Sequence, residues 1–335
     1  MSPRSRFAFV VLVGCCAASL SAQTLTLPNR KASVKFLVIG DNGTGDKFEY
    51  DVAKQVTRFY QKFKVTFAIM LGDNIYGGER PQDFANKFEI PYKALLDGNV
   101  EFYATLGNHD DPNQRFYKWY RMGGERYHTF KKGNIRFFVI DSNYLDPTQV
   151  AWLTKELSAS ASDWKIAYFH HPLYTTAARG PEVELRKILE PLFVKYGVSV
   201  VFSGHEHIYE RMAPQQGIQY FTEGGGAKLR PGDTHPGVLT QVGFATDRSF
   251  MLVEVAGDSM FFQAISRTGE TIDKGIVLRR IGPGSTVSTI AAKPPAKKKP
   301  GTVKKPAPPA KTATGTTPKK PTATKPPPPS GTGSP

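Results

Sequence analysis

Short runs of β-branched and aromatic residues alternate along this chain with stretches in which apolar positions recur every three or four residues. "VKFLVIG" (34–40) leads into "FEYDVAKQVTRFYQKF", where Phe48, Val52, Val56, Phe59 and Phe63 fall on one helical face. The same succession of strand and helix recurs. "TFAIMLG" precedes a helical region at 81–97, "EFYATLG" one at 112–122, "IRFFVID" the segment "PTQVAWLTKELSAS", and "KIAYFHH" the segment "PEVELRKILEPLFVKY". "VSVVFSG" runs instead into a polar loop. Such alternation predicts an α/β layered fold with strands buried on both faces.

Toward residue 280 the pattern changes. "GIQYFTEGGG", "SFMLVEVAG" and "SMFFQAISR" follow one another without intervening helices, and the last two are separated only by "AGD", a hairpin signal. A second, more antiparallel sheet packed on the first within one domain spanning residues 33–280 is the expectation.

Composition changes the picture only at the two ends. The 335 residues carry a net charge of +15, and 40% of them are apolar, enough for a sizeable core. Residues 283–335 hold ten lysines, fourteen prolines and no Asp or Glu, so most of the positive charge belongs to a tail. With no aromatic residue to bury, that tail is expected to be a disordered cationic chain, either a solvated spacer or a contact to anionic envelope polymers or a membrane surface. The core has no basic excess that would suggest nucleic-acid binding. Met1 to about Ala22 reads as an export signal, with Arg4 and Arg6, the apolar stretch "FAFVVLVGCCAASL" and small residues around "SLSAQ". Cys15 and Cys16, the only cysteines, lie inside it, and "LVGC" at 12–15 also resembles a lipoprotein box that would lipidate Cys15. The expected location is therefore outside the cytoplasm: secreted, periplasmic or envelope-attached.

The candidate chemistry sits where the strands end. Asp41 follows "FLVIG", Asp73 follows "IMLG", Asn108 and His109 follow "YATLG", His170 follows "IAYF", and His205 and His207 follow "VVFSG". In α/β sheets the carboxyl ends of strands form the crevice where ligands bind. Five of the seven histidines in the protein lie in these stretches. Two carboxylates, an amide oxygen, three imidazoles and the phenol of Tyr76 are too many donors for one ion. They suit two ions about 3.5–4 Å apart sharing a carboxylate and a water-derived hydroxide, and mixed nitrogen and oxygen donors without thiolate favour iron, zinc or manganese.

The ordered set Gly40-Asp41, Gly72-Asp73-x-x-Tyr76, Gly107-Asn108-His109-Asp110, Ala167-x-x-His170 and Gly204-His205-x-His207 resembles the calcineurin-like metallophosphoesterase superfamily over about residues 34–223, and within it the purple acid phosphatases. Most of that superfamily has Asp-x-His at the first motif; this chain has Gly43 there, and Tyr76 supplies the missing donor. The resemblance implies a layered β-sandwich of two mixed sheets flanked by helices. It implies that Asp41, Tyr76 and His207 bind Fe(III), that Asn108, His170 and His205 bind Fe(II), Zn(II) or Mn(II), and that Asp73 bridges. It further implies that His109 contacts the phosphate and protonates the leaving group of a small phosphorylated substrate. A phosphomonoesterase of the acid phosphatase type is the expected function. A phosphodiesterase or nucleotide pyrophosphatase on the same metals, and an envelope-anchored binding protein with a vestigial site, are the alternatives.

The chain departs from small family members after "HHPLYTT", where Ala178-Arg179 replaces a Glu-His pair. Arg179 is expected either to clamp the phosphate or to be a solvated loop residue. His171 is expected beside the site without ligating, because neighbours on an extended segment point opposite ways. The glycines of "TEGGGAKLRPG" are read as a loop near the metals.

Overall fold

The computed structural model describes residues 24–160 and 164–280; the expected export segment and the Lys/Pro tail lie outside the described residues. In chain order come β1 (Val34–Ile39), α1 (Lys47–Lys62), β2 (Phe67–Met70), α2 (Pro81–Phe84), a π-helical turn (Ala85–Glu89), α3 (Lys93–Asp97), β3 (Glu101–Ala104) and a 3-10 turn (Pro112–Phe116). Then follow β4 (His128–Lys132), β5 (Ile135–Val139), α4 (Pro147–Ala159), β6 (Trp164–Tyr168), α5 (Val183–Tyr196), β7 (Val200–Ser203) and β8 (Tyr209–Met212). The last are β9 (Gln219–Glu223), β10 (Thr240–Phe244), β11 (Ser249–Ala256), β12 (Ser259–Ser266) and β13 (Thr271–Leu278).

These strands form two mixed sheets, in the orders β13-β12-β11-β1-β2-β3 and β10-β8-β9-β7-β6-β5-β4. Period-two alternation assigns each central strand to two layers at once. In β1, Phe36 and Val38 enter the core between the sheets, while Leu37 and Ile39 pack with Val52, Val56 and Phe59 of α1. In β6, Trp164, Ile166 and Tyr168 face the other sheet, and Ala167 joins Leu153, Leu157 and Phe193 of α4 and α5 on the outer side. The result is helix, sheet, sheet, helix. At its centre Phe36 stacks on Phe67 at 5.1 Å and meets the edge of Phe137 at 5.4 Å, so truncating one ring there would cost about 3–5 kcal/mol.

α1 begins where the Asp46 carboxylate accepts the Phe48 and Glu49 amides at 2.9 and 3.1 Å, a cap worth about 1 kcal/mol. α5 ends on Gly197, whose φ of 74° is a left-handed conformation that glycine adopts freely.

Two expectations need correction. The late strands form no sheet of their own: β9 pairs parallel with β7, while β11 pairs antiparallel with β1, so they extend both mixed sheets. Covering the open edges of two half-built sheets satisfies more backbone groups than adding a third layer. Residues 112–122 are not a helix beyond the 3-10 turn. Tyr117 and Tyr120 instead pack in turns against Phe84 and Phe88, with ring centroids 4.2 and 5.0 Å apart, and aromatic burial overrides helical spacing. The strands β4, β8, β10 and β13 were not legible in the pattern at all.

Candidate metal centre

Asp41, Asp73 and His205 each follow a strand through a left-handed backbone, with φ of 55°, 50° and 69°. Non-glycine residues pay about 1–3 kcal/mol for such conformations, which persist where the surrounding structure enforces them. Here the Asp41 amide bonds to the Gly72 carbonyl at 3.0 Å, and the His205 amide donates to Asp41 Oδ2 at 2.9 Å. The turns aim all three side chains back into one cleft. Close packing also explains the glycine before each donor: a Cβ on Gly204 would stand 2.5 Å from Asp41 Oδ2, and one on Gly107 would collide with Asp73 Oδ1.

The seven expected ligands converge in two sets. In the first, the Tyr76 hydroxyl lies 3.1 Å from Asp41 Oδ1, 2.9 Å from Asp73 Oδ2 and 3.4 Å from His207 Nε2. One phenolic proton cannot serve three acceptors. In the second, His170 Nε2 lies 3.1 Å from Asn108 Oδ1, and His205 Nδ1 lies 2.9 Å from the same oxygen and 3.1 Å from His170 Nε2. His170 Nδ1 stands 2.9 Å from the Leu71 carbonyl, which can only accept; its proton therefore sits on Nδ1, and Nε2 presents a lone pair to the cluster. Asp73 joins the sets, with Oδ2 on Tyr76 and Oδ1 at 3.4 Å from His170 Nε2.

The His170 Nε2 lone pair faces the Asn108 and Asp73 oxygens, and Asp41, Asp73 and His207 crowd a single phenolic proton; acceptors set against acceptors repel unless a cation lies among them, so the donor set fits two bound metal ions. The electrostatics agree. Burial holds the His170 imidazole well below the usual range, and burial followed by the charges of its histidine neighbours pulls His205 down to about 2. His207 is lowered to about 3, by burial and then by Arg230. All three rings are therefore neutral, the form that ligates. Burial first, and Asp73 second, raise Asp41 well above the carboxylate range; burial first, and the two carboxylates second, raise the Tyr76 phenol. A cation between these groups reverses both shifts.

The rim is more open. The exposed His109 ring lies 5.0 Å from the Tyr76 ring, and its backbone amide donates to Asp73 Oδ1 at 2.9 Å. Arg179 faces the site: its Nη1 lies 2.9 Å from the His205 carbonyl oxygen and 3.2 Å from His205 Nε2. His171 does not turn away as alternation predicts: with His170 and His205 it forms a group whose ligand atoms lie within 4.8 Å of one another and could hold a metal ion. β6 has ended at Tyr168, and the His171 ring turns the same way as His170, 4.5 Å from the His205 ring, with Nδ1 2.9 Å from the Ser142 hydroxyl. The glycine loop 224–226 does pass the site, and Lys228 beyond it sets its ammonium 4.5 Å from the Tyr76 ring.

Three contributors carry no expectation from sequence. Asp110 accepts from the Gly107 and Ile75 amides, the Asn74 amide group and Gln114 at 2.8–3.0 Å, latching the Asp73 and Asn108 loops together. Burial, and then Asp73, raise its carboxyl to about 7. Lys87, in the π-helical turn, holds the Tyr76 and Gly78 carbonyls at 2.6 and 3.1 Å. Ser142 fixes His171. The motif "GNHD" contained Asp110, but nothing local says that two of its four partners, Asn74 and Ile75, lie more than thirty residues upstream.

The family model described as calcineurin-like phosphoesterase matches residues 34–209, more than half of the chain and the span that holds every one of these donors. Tartrate-resistant acid phosphatase type 5 of Homo sapiens is 25% identical over 320 residues, covering 79% of this chain and 98% of that protein. Purple acid phosphatase 17 of Arabidopsis thaliana is 26% identical over 242 residues, covering 61% and 71%. Among solved structures, GAP50, the anchor in the inner membrane complex of Plasmodium, matches with a TM-score of 0.67 at 19% identity, over 75% of this chain and 90% of that one, a likeness of fold.

Proposed function

Because the chain belongs to the calcineurin-like phosphoesterase family, we propose that it is an exported acid phosphatase, a hydrolase of small phosphomonoesters working with two metal ions. Asp41, Tyr76 and His207 would hold Fe(III); Asn108, His170 and His205 would hold Fe(II), Zn(II) or Mn(II); Asp73 would be shared. The observation that carries the reading is that Asp73 stands between both sets, with Tyr76 on its Oδ2 and the His170 Nε2 lone pair facing its Oδ1, while Asp41, Asp73 and His207 hold their ligand atoms within 4.8 Å of one another. Bound cations supply the charge that polarises the phosphoryl oxygens and acidifies the attacking water.

The chain's own residues do the rest. The neutral imidazoles and the buried carboxylates pre-organise the donors, so nothing need reorient when substrate arrives. Arg179, permanently charged, receives phosphoryl oxygens in its planar fork but cannot give up a proton. His109, exposed beside Tyr76, is the group within reach to protonate the leaving oxygen. The leader carries the protein out of the cytoplasm, and the cationic tail holds it to anionic envelope material.

The test is aerobic purification followed by metal analysis, a visible spectrum and turnover of phenyl phosphate. A coloured protein with two metals per chain that hydrolyses the monoester supports the whole reading. A colourless, fully metallated, active enzyme removes the iron assignment alone. Faster cleavage of a bis-aryl diester moves the reading to a phosphodiesterase, and a chain that takes up no metal ends it.

A further inference from the structure

Next to the donor cluster a cavity of about 530 Å³ opens from Asn108 and His171. Its far wall is the loop after β5 and the start of α5. That loop is fastened to the centre, since Ser142 meets His171 Nδ1 and the Asn143 amide donates to the Leu106 and Gly107 carbonyls at 3.3 Å. The cavity therefore keeps a fixed position relative to the donors, and its size suits a small ring-bearing group.

Two features of the lining select what enters. Tyr144 leaves 65% of its surface uncovered at this wall, backed by the Arg126 guanidinium 5.8 Å from its ring centroid. An aromatic ring left bare at a cavity edge is a stacking platform looking for a partner. The charge is the second feature. Arg126, the only Lys or Arg among the described residues lining the cavity, is already engaged by Asp141 at 2.8 Å and Asp146 at 3.4 Å; Glu184, paired with Lys187 at 2.6 Å, and Glu182 also line it. An anionic arm would meet carboxylates without a free counter-charge.

We propose that this cavity is the leaving-group subsite, taking an uncharged aromatic group stacked on Tyr144 and turning away anionic ones. The inference rests on the hydrolase reading above. A phosphoryl group over the donor cluster has Asn108 and His171 on this side, so an ester arm departing past them enters the cavity. The acidic wall disfavours the nucleoside diphosphate that leaves when a nucleoside triphosphate loses its terminal phosphoryl group, and the bare ring favours a phenol or a nucleoside over glycerol.

The experiment assays the metal-loaded, full-length protein on phenyl phosphate, adenosine monophosphate, glycerol phosphate and ATP. Tyr144→Ala should lower kcat/KM on one of the aromatic monoesters about tenfold more than on glycerol phosphate, and which one it is separates a phenol from a nucleoside as the source of the ring. Tyr144→Phe should restore most of that difference. Glu182→Gln should raise kcat/KM on ATP relative to phenyl phosphate about fivefold at low salt, a gain that shrinks as salt rises. Equal effects on all four esters would overturn the subsite and leave the hydrolase standing. A wild-type protein that cleaves none of them would overturn the hydrolase reading itself, and the subsite with it.

Discussion

The two donor sets share one carboxylate yet differ in almost everything else. The set around Tyr76 offers two carboxylates, a phenol and one imidazole, three groups able to become anionic. The set around Asn108 offers an amide oxygen and two imidazoles, neutral but for its share of Asp73. Hard anionic oxygens gather charge to match a trivalent ion, whereas neutral nitrogens suit a divalent one. Adjacent sites in one cleft are thus distinguished by ligand charge, with no difference in burial needed.

Removing what the sets share should do the most damage. Asp73→Ala is expected to cut turnover of phenyl phosphate by about a thousandfold or more and to lower metal content from two ions per chain to one or fewer. If two ions remained, the bridge would be superfluous and the comparison of linked sets would collapse. Next come changes confined to one side. Tyr76→Phe should abolish a visible absorption band while leaving the divalent ion in place, and His170→Ala should do the reverse, emptying the divalent site and keeping the colour. Loss of both ions from either variant would mean that the sets are not separable.

Asp110 offers a sharper probe, because it touches neither set and holds both. Two of its four accepted hydrogen bonds, from Asn74 and Ile75, join the segment 73–76 to 107–110, and the other two tie it to Gly107 and Gln114. Asp110→Ala leaves buried donors unpaired and should cost about 2–3 kcal/mol, lowering the thermal midpoint by several degrees. Both metals should weaken together. A variant that loses only one ion would show that the latch serves a single loop.

How far these features could be read in advance follows from where their causes lie. Strand-end donors are local: an apolar run and an Asp or His are adjacent in sequence, with a glycine between them before Asp41, Asp73 and His205, so these three and His170 announced themselves before any geometry. Arg179 was visible only as a departure from a motif, and its placement against His205 depends on a loop that sequence does not determine. Asp110 reaches the Ile75 amide across thirty-five positions and Lys87 the Tyr76 and Gly78 carbonyls across eleven and nine, and backbone groups have no letter in the sequence. Likewise β4, β10 and β13 sit at sheet edges, where half-exposed strands lose the continuous apolar run that marked β1, β2 and β6, and in the buried β8 the polar Glu210 and Arg211 interrupt it.

The smallest effect is also the most direct test of the charge difference. Asp41 and Tyr76 are both pushed upward by burial and by neighbouring carboxylates, so without metal each keeps its proton through the pH range where its isolated counterpart begins to lose it. The imidazoles are pushed the other way, His205 to about 2 and His207 to about 3, so they hold no proton to lose above pH 4. Metal entering the oxygen-rich set must therefore displace protons, and its affinity should rise with pH as those groups ionise. Metal entering the imidazole set displaces none, and its affinity should stay flat between pH 5 and 8. Titrating metal-free protein with Zn(II) in buffers of different ionisation enthalpy counts the protons displaced, the Tyr76 proton among them. Tyr76→Phe should lower that count by about one, and His170→Ala should leave it unchanged. A count that fell with His170 and not with Tyr76 would reverse the assignment of charge between the two sets.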